Sequence, residues 1–207
     1  VKVDTSKDAP SGMTTASRGT SLIGNSVLDA GKKLKADLDT HSLEELVGSE
    51  YVGEWICDWT TAIEADVPEP KTHYSYSYAT QVVTLDDSGK VENVYAAHDA
   101  GKIINPTLFE GQLEGSVHMG LGYALSEKFE MEGGFPLHTK YGKLGMIRAA
   151  ATPNIKIIGI EVPDENGPFG AKGVGEIGLV PTASAVANAF CQFSGERQYV
   201  LPLKKIK

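Results

Sequence analysis

Glu176 closes a run crowded with glycine, GPFGAKGVGEIG at residues 167–178, with Lys172 four positions before it. A carboxylate held in a dry pocket has its charged form disfavoured, which suits a general base. The bland reading is a turn marked by glycines with an exposed Glu, and the run alone leaves both open. A second candidate is PSGMTTASRGT, residues 10–20, where Ser11, Thr14, Thr15 and Ser17 crowd the start of an apolar-periodic stretch beside Arg18. Hydroxyls and free backbone N–H groups at a helix start bind anions, phosphate above all, but the same residues often do no more than cap the helix. The third is HDAGKIINPTLFEGQLEGSVHMGLG, residues 98–122. Its Glu110, Glu114 and His118 recur at intervals of four and share one helical face, as a metal site would require. The Glu-x-x-His spacing of di-iron bundles is absent, and a solvated acidic face explains the three residues as well. Gln112 stands among Gly111, Gly115, Gly120 and Gly122. Each of these glycines costs a helix roughly 1 kcal/mol relative to Ala, a cost that close approach to a ligand or another backbone would offset.

These residues need elements to hold them. Leu22, Ile23, Val27, Leu28, Leu34 and Leu38 return to one helical face, which predicts an amphipathic helix over 17–38. SLEELVGSE reads as a short helix opened by Ser42 and stopped near Gly48, and the aromatic and β-branched stretch 51–61 as a strand. Residues 72–86, the turn DDSGK and the return VENVYAAHDAG predict a hairpin, with Tyr74, Tyr76 and Tyr78 on one face. Leu108, Leu113, Val117, Leu121 and Leu125 predict a second long helix over 106–129, with Pro106 in its first turn. EMEGGFPLHTKYGKLG reads as turn and loop, IKIIGIEVP as a strand, and LVPTASAVANAF as a tightly packed helix. The sum is an α+β chain with mixed sheets and packed helices, and no repeat or linker divides its 207 residues.

Composition narrows the function classes. With 41% hydrophobic and 22% charged residues the chain is neither disordered nor fibrous. A net charge of −8 opposes attraction to nucleic acid or an anionic membrane, so neither is expected as a partner. Cys57 and Cys191 stand alone without CxxC or Cys/His spacing, which predicts no disulfide framework or iron–sulfur site and a reducing cytoplasm. Val1 in place of an initiating Met reads as a processed chain or a piece of a longer one. There is no G-x-S-x-G, no Walker loop and no G-x-G-x-x-G after a strand. His41, His73 and His138 have no motif around them and are expected to be ordinary surface or hydrogen-bonded residues.

Taken in order, the three segments resemble the second half of the molybdenum-cofactor-binding subunit of the xanthine dehydrogenase/aldehyde oxidase family. PSGMTTASRGTSLIGNSV resembles its cofactor-contacting segment, DAGKIINPTLFEGQLEGSVHMGLG its D-x-G…N-P…G-Q-x-E-G…G-L-G segment, and AKGVGE its active-site loop. The resemblance runs from about residue 4 to about residue 193 and implies that residues 1–207 are the carboxy-terminal half of a molybdenum-hydroxylase cofactor-binding domain, a fragment or a split subunit. It implies a molybdenum-pterin cofactor, with or without a cytidine nucleotide. Glu176 would be the catalytic base, while Thr14, Thr15, Ala16, Ser17, Gln112, Lys172, Gly173, Val174 and Gly175 would contact the cofactor, with no side chain ligating the metal. The activity implied is hydroxylation of a purine or similar N-heterocycle with a water-derived oxygen, the alternative being an aldehyde. From a different class, the chain would be a non-catalytic module completing a partner's cofactor site. The amino-terminal half of the domain, with its own glycine-rich loop and G-Q-G segment, is not in the sequence and is expected as a partner, as are domains or subunits carrying iron–sulfur clusters and FAD. An oligomer is expected, and the 207 residues alone are expected to be inactive. Met119, preceded by His118, stands where many relatives have a glutamine before G-L-G.

Overall fold

The computed structural model describes residues 6, 17–58, 60–62, 64–71 and 75–204. These gather into two compact units, one formed by Val1–Tyr76 with Val162–Gly173 and the other by Ser77–Glu161 with Val174–Lys207. Neither is a continuous stretch, so no linker marks the division in the sequence. The α+β composition expected from the sequence is found.

In the first unit a π-helical turn at Gly19–Ile23 runs into α1, Gly24–Leu38, which matches the expected amphipathic helix. Gly24 packs so closely on Pro168 that a Cβ there would lie 2.7 Å from the proline Cγ, and Asn25 Nδ2 donates to the Asn166 carbonyl at 2.7 Å. Two expectations are corrected here. Among the described residues of 51–61 no strand forms, because the first of them are held by side chains of α1 instead of by a neighbouring strand. Lys33 Nζ donates to Val52 O at 2.8 Å, Glu54 N to Asp29 Oδ2 at 3.1 Å and Tyr51 Oη to Asp37 Oδ2 at 2.8 Å. The helix opened by Ser42 stops at its cap. Ser42 N donates to Glu45 Oε2 at 2.8 Å and Glu45 N to Ser42 Oγ at 3.4 Å, a capping box, yet residues 43–48 are only turns. Leu43 and Val47 are exposed, so no apolar face is buried to offset the cost of nucleating a helix.

The second unit is built on a three-stranded sheet of order β1-β2-β5. Strand β1, Ala79–Leu85, and β2, Val91–Asp99, form the expected hairpin, with Ala79 opposite His98 and a register shift at Thr84/Leu85. Asp86 closes the turn by accepting from Ser88 N, Ser88 Oγ and Lys90 N, and Gly89 supplies a φ of +79°. The Ser88 hydroxyl and the backbone N–H of Lys90 hold the Asp86 carboxyl below its ordinary range. After β2 the chain enters α2, Pro106–Leu125, capped by Asn105, whose side chain accepts from Leu108 N at 3.0 Å. A two-residue ladder, β3 Met131–Glu132 with β4 Phe135–Pro136, precedes β5, Asn154–Ile160, which pairs parallel to β2. The chain then returns through α3, Thr182–Ser194.

Alternation decides which sheet face carries the core. Val83, Val94, Ala96, Ile155 and Ile157 face Val117, Leu121 and Ala124 of α2 and Val186 and Phe190 of α3. At roughly 25 cal/mol per Å² of apolar surface, each fully buried Val or Leu here contributes about 1.5–3 kcal/mol. Among the described residues, no helix is long and apolar enough to cross a membrane.

Candidate functional site

Gln112 emerges from α2, a turn above its capped start, and its Nε2 donates to the carbonyl of Gly175 at 2.7 Å. The two segments that the sequence singles out in this unit therefore meet. Gly175 and Glu176 are exposed, and Val174 is partly buried. Immediately after Glu176 the chain makes a 3-10 turn, Ile177–Leu179, and Gly178 is pressed against α2, where a Cβ would overlap the Ser116 side chain. The Glu176 backbone is thus held to α2 on both sides while its carboxylate faces outward. The dry surroundings expected for it are not supplied by this chain's described residues.

The four glycines of α2 divide by use. Gly120 is filled by Thr182, since a Cβ would come within 2.6 Å of that side chain, and Gly122 by Glu127. Gly111 and Gly115 are exposed, with nothing within 4 Å of a Cβ. Packing explains the first pair; the second pair leaves open space flanking Gln112. In chemical terms, an exposed amide, an exposed peptide run and bare helix backbone suit the polar edge of a large planar group, so the residues present fit a pterin.

In the first unit Ser17 sits at φ +61°, a left-handed conformation rare for a residue with a side chain, and it closes on Gly173, where a Cβ would overlap it. Lys172 is partly buried and engaged. Thr14, Thr15 and Ala16 lie outside the described residues. Glu110 and Glu114 are exposed and His118 partly so, and no group of three His, Cys, Asp or Glu among the described residues could hold a metal ion. Tyr76 and Tyr78 are exposed, while Tyr74 lies outside the described residues.

Gln81 and His98 carry no motif and pass unnoticed as sequence. Gln81 Nε2 donates to the Gly178 carbonyl at 2.8 Å and lies 3.2 Å from His98 Nε2. A carbonyl only accepts, so the Gln81 atom facing it is the amide nitrogen. Its second hydrogen then points to His98 Nε2, which leaves the imidazole proton on Nδ1. His98 is fully buried, and burial pushes its pKa below the ordinary imidazole value. Among the described residues Gln81 Oε1 and His98 Nδ1 have no hydrogen-bond partner. The available signal was parity: Gln81 shares its face of β1 with Ala79 and Val83, the side that faces the core.

A mixed sheet with helices on one face, and a helix-borne amide gripping a glycine-rich loop that ends in a carboxylate, define an α+β chain. The molybdopterin cofactor-binding domain model matches residues 41–153, just over half of the sequence, and the chain belongs to that family. It is 28% identical over 207 aligned positions to the aldehyde oxidoreductase of Megalodesulfovibrio gigas, covering 93% of this chain and 22% of that protein. It is also 28% identical to a probable xanthine dehydrogenase subunit of Bacillus subtilis, covering 90% of this chain and 29% of that protein. The crystal structure of the aldehyde oxidoreductase from Desulfovibrio desulfuricans superposes with a TM-score of 0.73 at 28% identity, over 93% of this chain and 22% of that one. The chain therefore spans less than a third of the length of these relatives.

Proposed function

We propose that this chain is the carboxy-terminal, cofactor-binding part of a molybdenum hydroxylase, with Glu176 as the general base. The observation that carries the reading is the Gln112–Gly175 hydrogen bond at 2.7 Å, which joins the two resembling segments and fixes the backbone next to Glu176. When bound, the molybdenum-pterin group supplies the two-electron oxidation of the substrate. The Glu176 carboxylate accepts the proton released as a water-derived oxygen attacks an electron-poor carbon, and that oxygen remains on the product. Gln112 and the backbone of Lys172, Gly173, Val174 and Gly175 orient the group, together with Thr14, Thr15, Ala16 and Ser17. A base fixed in this way lowers the barrier by holding the reacting atoms in line.

The substrate class proposed, on the resemblance alone, is a purine or similar N-heterocycle, with an aldehyde as the second reading. The second reading draws support from the length of the match to proteins named aldehyde oxidoreductase. The rest of the assembly is proposed to supply the amino-terminal half of the cofactor domain, the iron–sulfur clusters and FAD, and the walls that keep water from Glu176. The cytidine nucleotide form of the pterin belongs to the same proposal.

The deciding experiment is metal analysis with cofactor extraction on the protein purified from its native source with everything that co-purifies. Near-stoichiometric molybdenum and a pterin are expected, followed by turnover of purines or aldehydes in a substrate screen. An intact assembly with neither molybdenum nor pterin would leave a non-catalytic interaction module, with the resembling segments kept as scaffold, as the surviving reading.

A further inference from the structure

The turn that carries Glu176 is gripped from a third side by the sheet. The Gly178 carbonyl, two residues beyond Glu176, accepts from Gln81 Nε2 of β1 at 2.8 Å and from Thr182 Oγ1 of α3 at 3.3 Å. The Gly175 carbonyl, one residue before Glu176, accepts from Gln112 of α2. Glu176 thus lies between two clamped carbonyls. Water competes directly for the exposed Gln112–Gly175 bond, whereas the Gln81–Gly178 bond is partly buried and better protected. Behind it, the second N–H of the Gln81 amide meets Nε2 of the fully buried His98, on the adjacent strand, at 3.2 Å.

We propose that Gln81 is a positioning residue for the reaction: its amide holds the Gly178 carbonyl, and through it the backbone that aims Glu176. The inference rests on the assignment of Glu176 as the base. Gln81 is given no contact with substrate or cofactor. It acts through the 3-10 turn Ile177–Leu179, and the Gly178 carbonyl sets which way its amide points.

Gln81→Met keeps the length of the side chain and removes the N–H donors; Gln81→Glu keeps the shape and leaves a donor only when protonated. Both are prepared in the complete native assembly, and two things are read: hydrogen exchange of peptides covering 174–181 against those covering the β1–β2 hairpin, and kcat with KM. For Gln81→Met, protection of the turn is expected to fall about tenfold with the hairpin unchanged, because local opening is separable from global unfolding. Turnover should fall in kcat by about tenfold or more with KM within about twofold, as expected when a reacting group is misaligned in an otherwise intact site. Gln81→Glu should show the same local loss where the carboxyl is ionised and recover protection of the turn as pH is lowered. It also serves if Gln81→Met does not fold.

Unchanged exchange in the turn, or protection lost equally from turn and hairpin, overturns the proposal, as does a Gln81→Glu profile without recovery in acid. If instead the wild-type assembly carries no molybdenum, or Glu176→Gln turns over normally, the functional reading falls. With it falls the role in aiming a base, while the exchange data still decide the clamp.

Discussion

A general base needs a fixed origin and a free end, and Glu176 combines an exposed side chain with a backbone held at Gly175 and Gly178. Glu176→Gln preserves shape and removes proton acceptance. In the complete enzyme it is expected to leave molybdenum content unchanged and lower kcat by about 10²–10⁴-fold, the usual contribution of a general base; near-normal turnover would remove Glu176 from the mechanism. His98 predicts a second effect, on stability. Its folded pKa is depressed by burial, so the unfolded chain takes up the proton more readily than the folded one. The contribution of neutral His98 is full above its unfolded value, about 6.5, and is lost as pH falls from there through the folded pKa. Asp86 and Glu161 have lowered carboxyl pKa values, so their contributions are full above the ordinary carboxylate range and are lost only as pH falls below it. Urea unfolding between about pH 8 and 5.5 should therefore show stability declining towards acid, with a shallower slope in His98→Asn; parallel slopes would assign the decline to other groups.

At the scale of elements, α2 and the turn after Glu176 form one piece of packing. Gly178→Ala would drive a Cβ into Ser116 and is expected to destabilise by about 1–3 kcal/mol, the range for overfilled cores. Gly111→Ala meets nothing and raises helix propensity, so it should stabilise by up to about 1 kcal/mol. Chemical denaturation of the two variants gives the comparison, and equal shifts would mean that α2 is not packed against this turn as described. The same pair separates stability from function. Gly111 borders the open space beside Gln112, so a more stable Gly111→Ala assembly with less retained pterin would mark that space as cofactor-facing.

At the scale of the whole molecule, the sheet has a second face. Val82, Tyr95, Ile158 and Ile160 lie on the side away from α2 and α3 and are exposed. The chain spans 22% of the M. gigas relative. Under the proposed function, the 207-residue chain expressed alone should give no turnover and retain no stoichiometric molybdenum; co-expression with the missing half of the cofactor domain should restore the molybdenum, and adding the iron–sulfur and flavin partners the turnover. Activity from the isolated chain would show that its own residues complete the site.

Local signals and their limits explain what was legible. Pro106 after Asn105 starts α2, the turn DDSGK closes the hairpin, and the spacing of Leu113, Val117 and Leu121 marks the face that the core takes up. Each of these rests on neighbours within a few residues, so order along the chain is enough to read them. The resemblance likewise lay in short runs and led to Gln112 and Glu176 before any geometry. The absent strand at 51–61 shows the limit, since its propensity was sound but the partners of its first residues are α1 side chains. Gln81 shows it more sharply. Its bond to Gly178 joins residues 97 apart, and whether a glutamine in an alternating strand meets water or the turn beside Glu176 depends on hairpin register and the packing of α2 and α3. The sequence by itself determined α1, the hairpin, α2, β5 and α3, the family and the chemical character of the loop around Glu176. Only the tertiary structure decided what grips that loop, because a hydrogen bond between distant residues exists only once several separately formed elements have packed in one register.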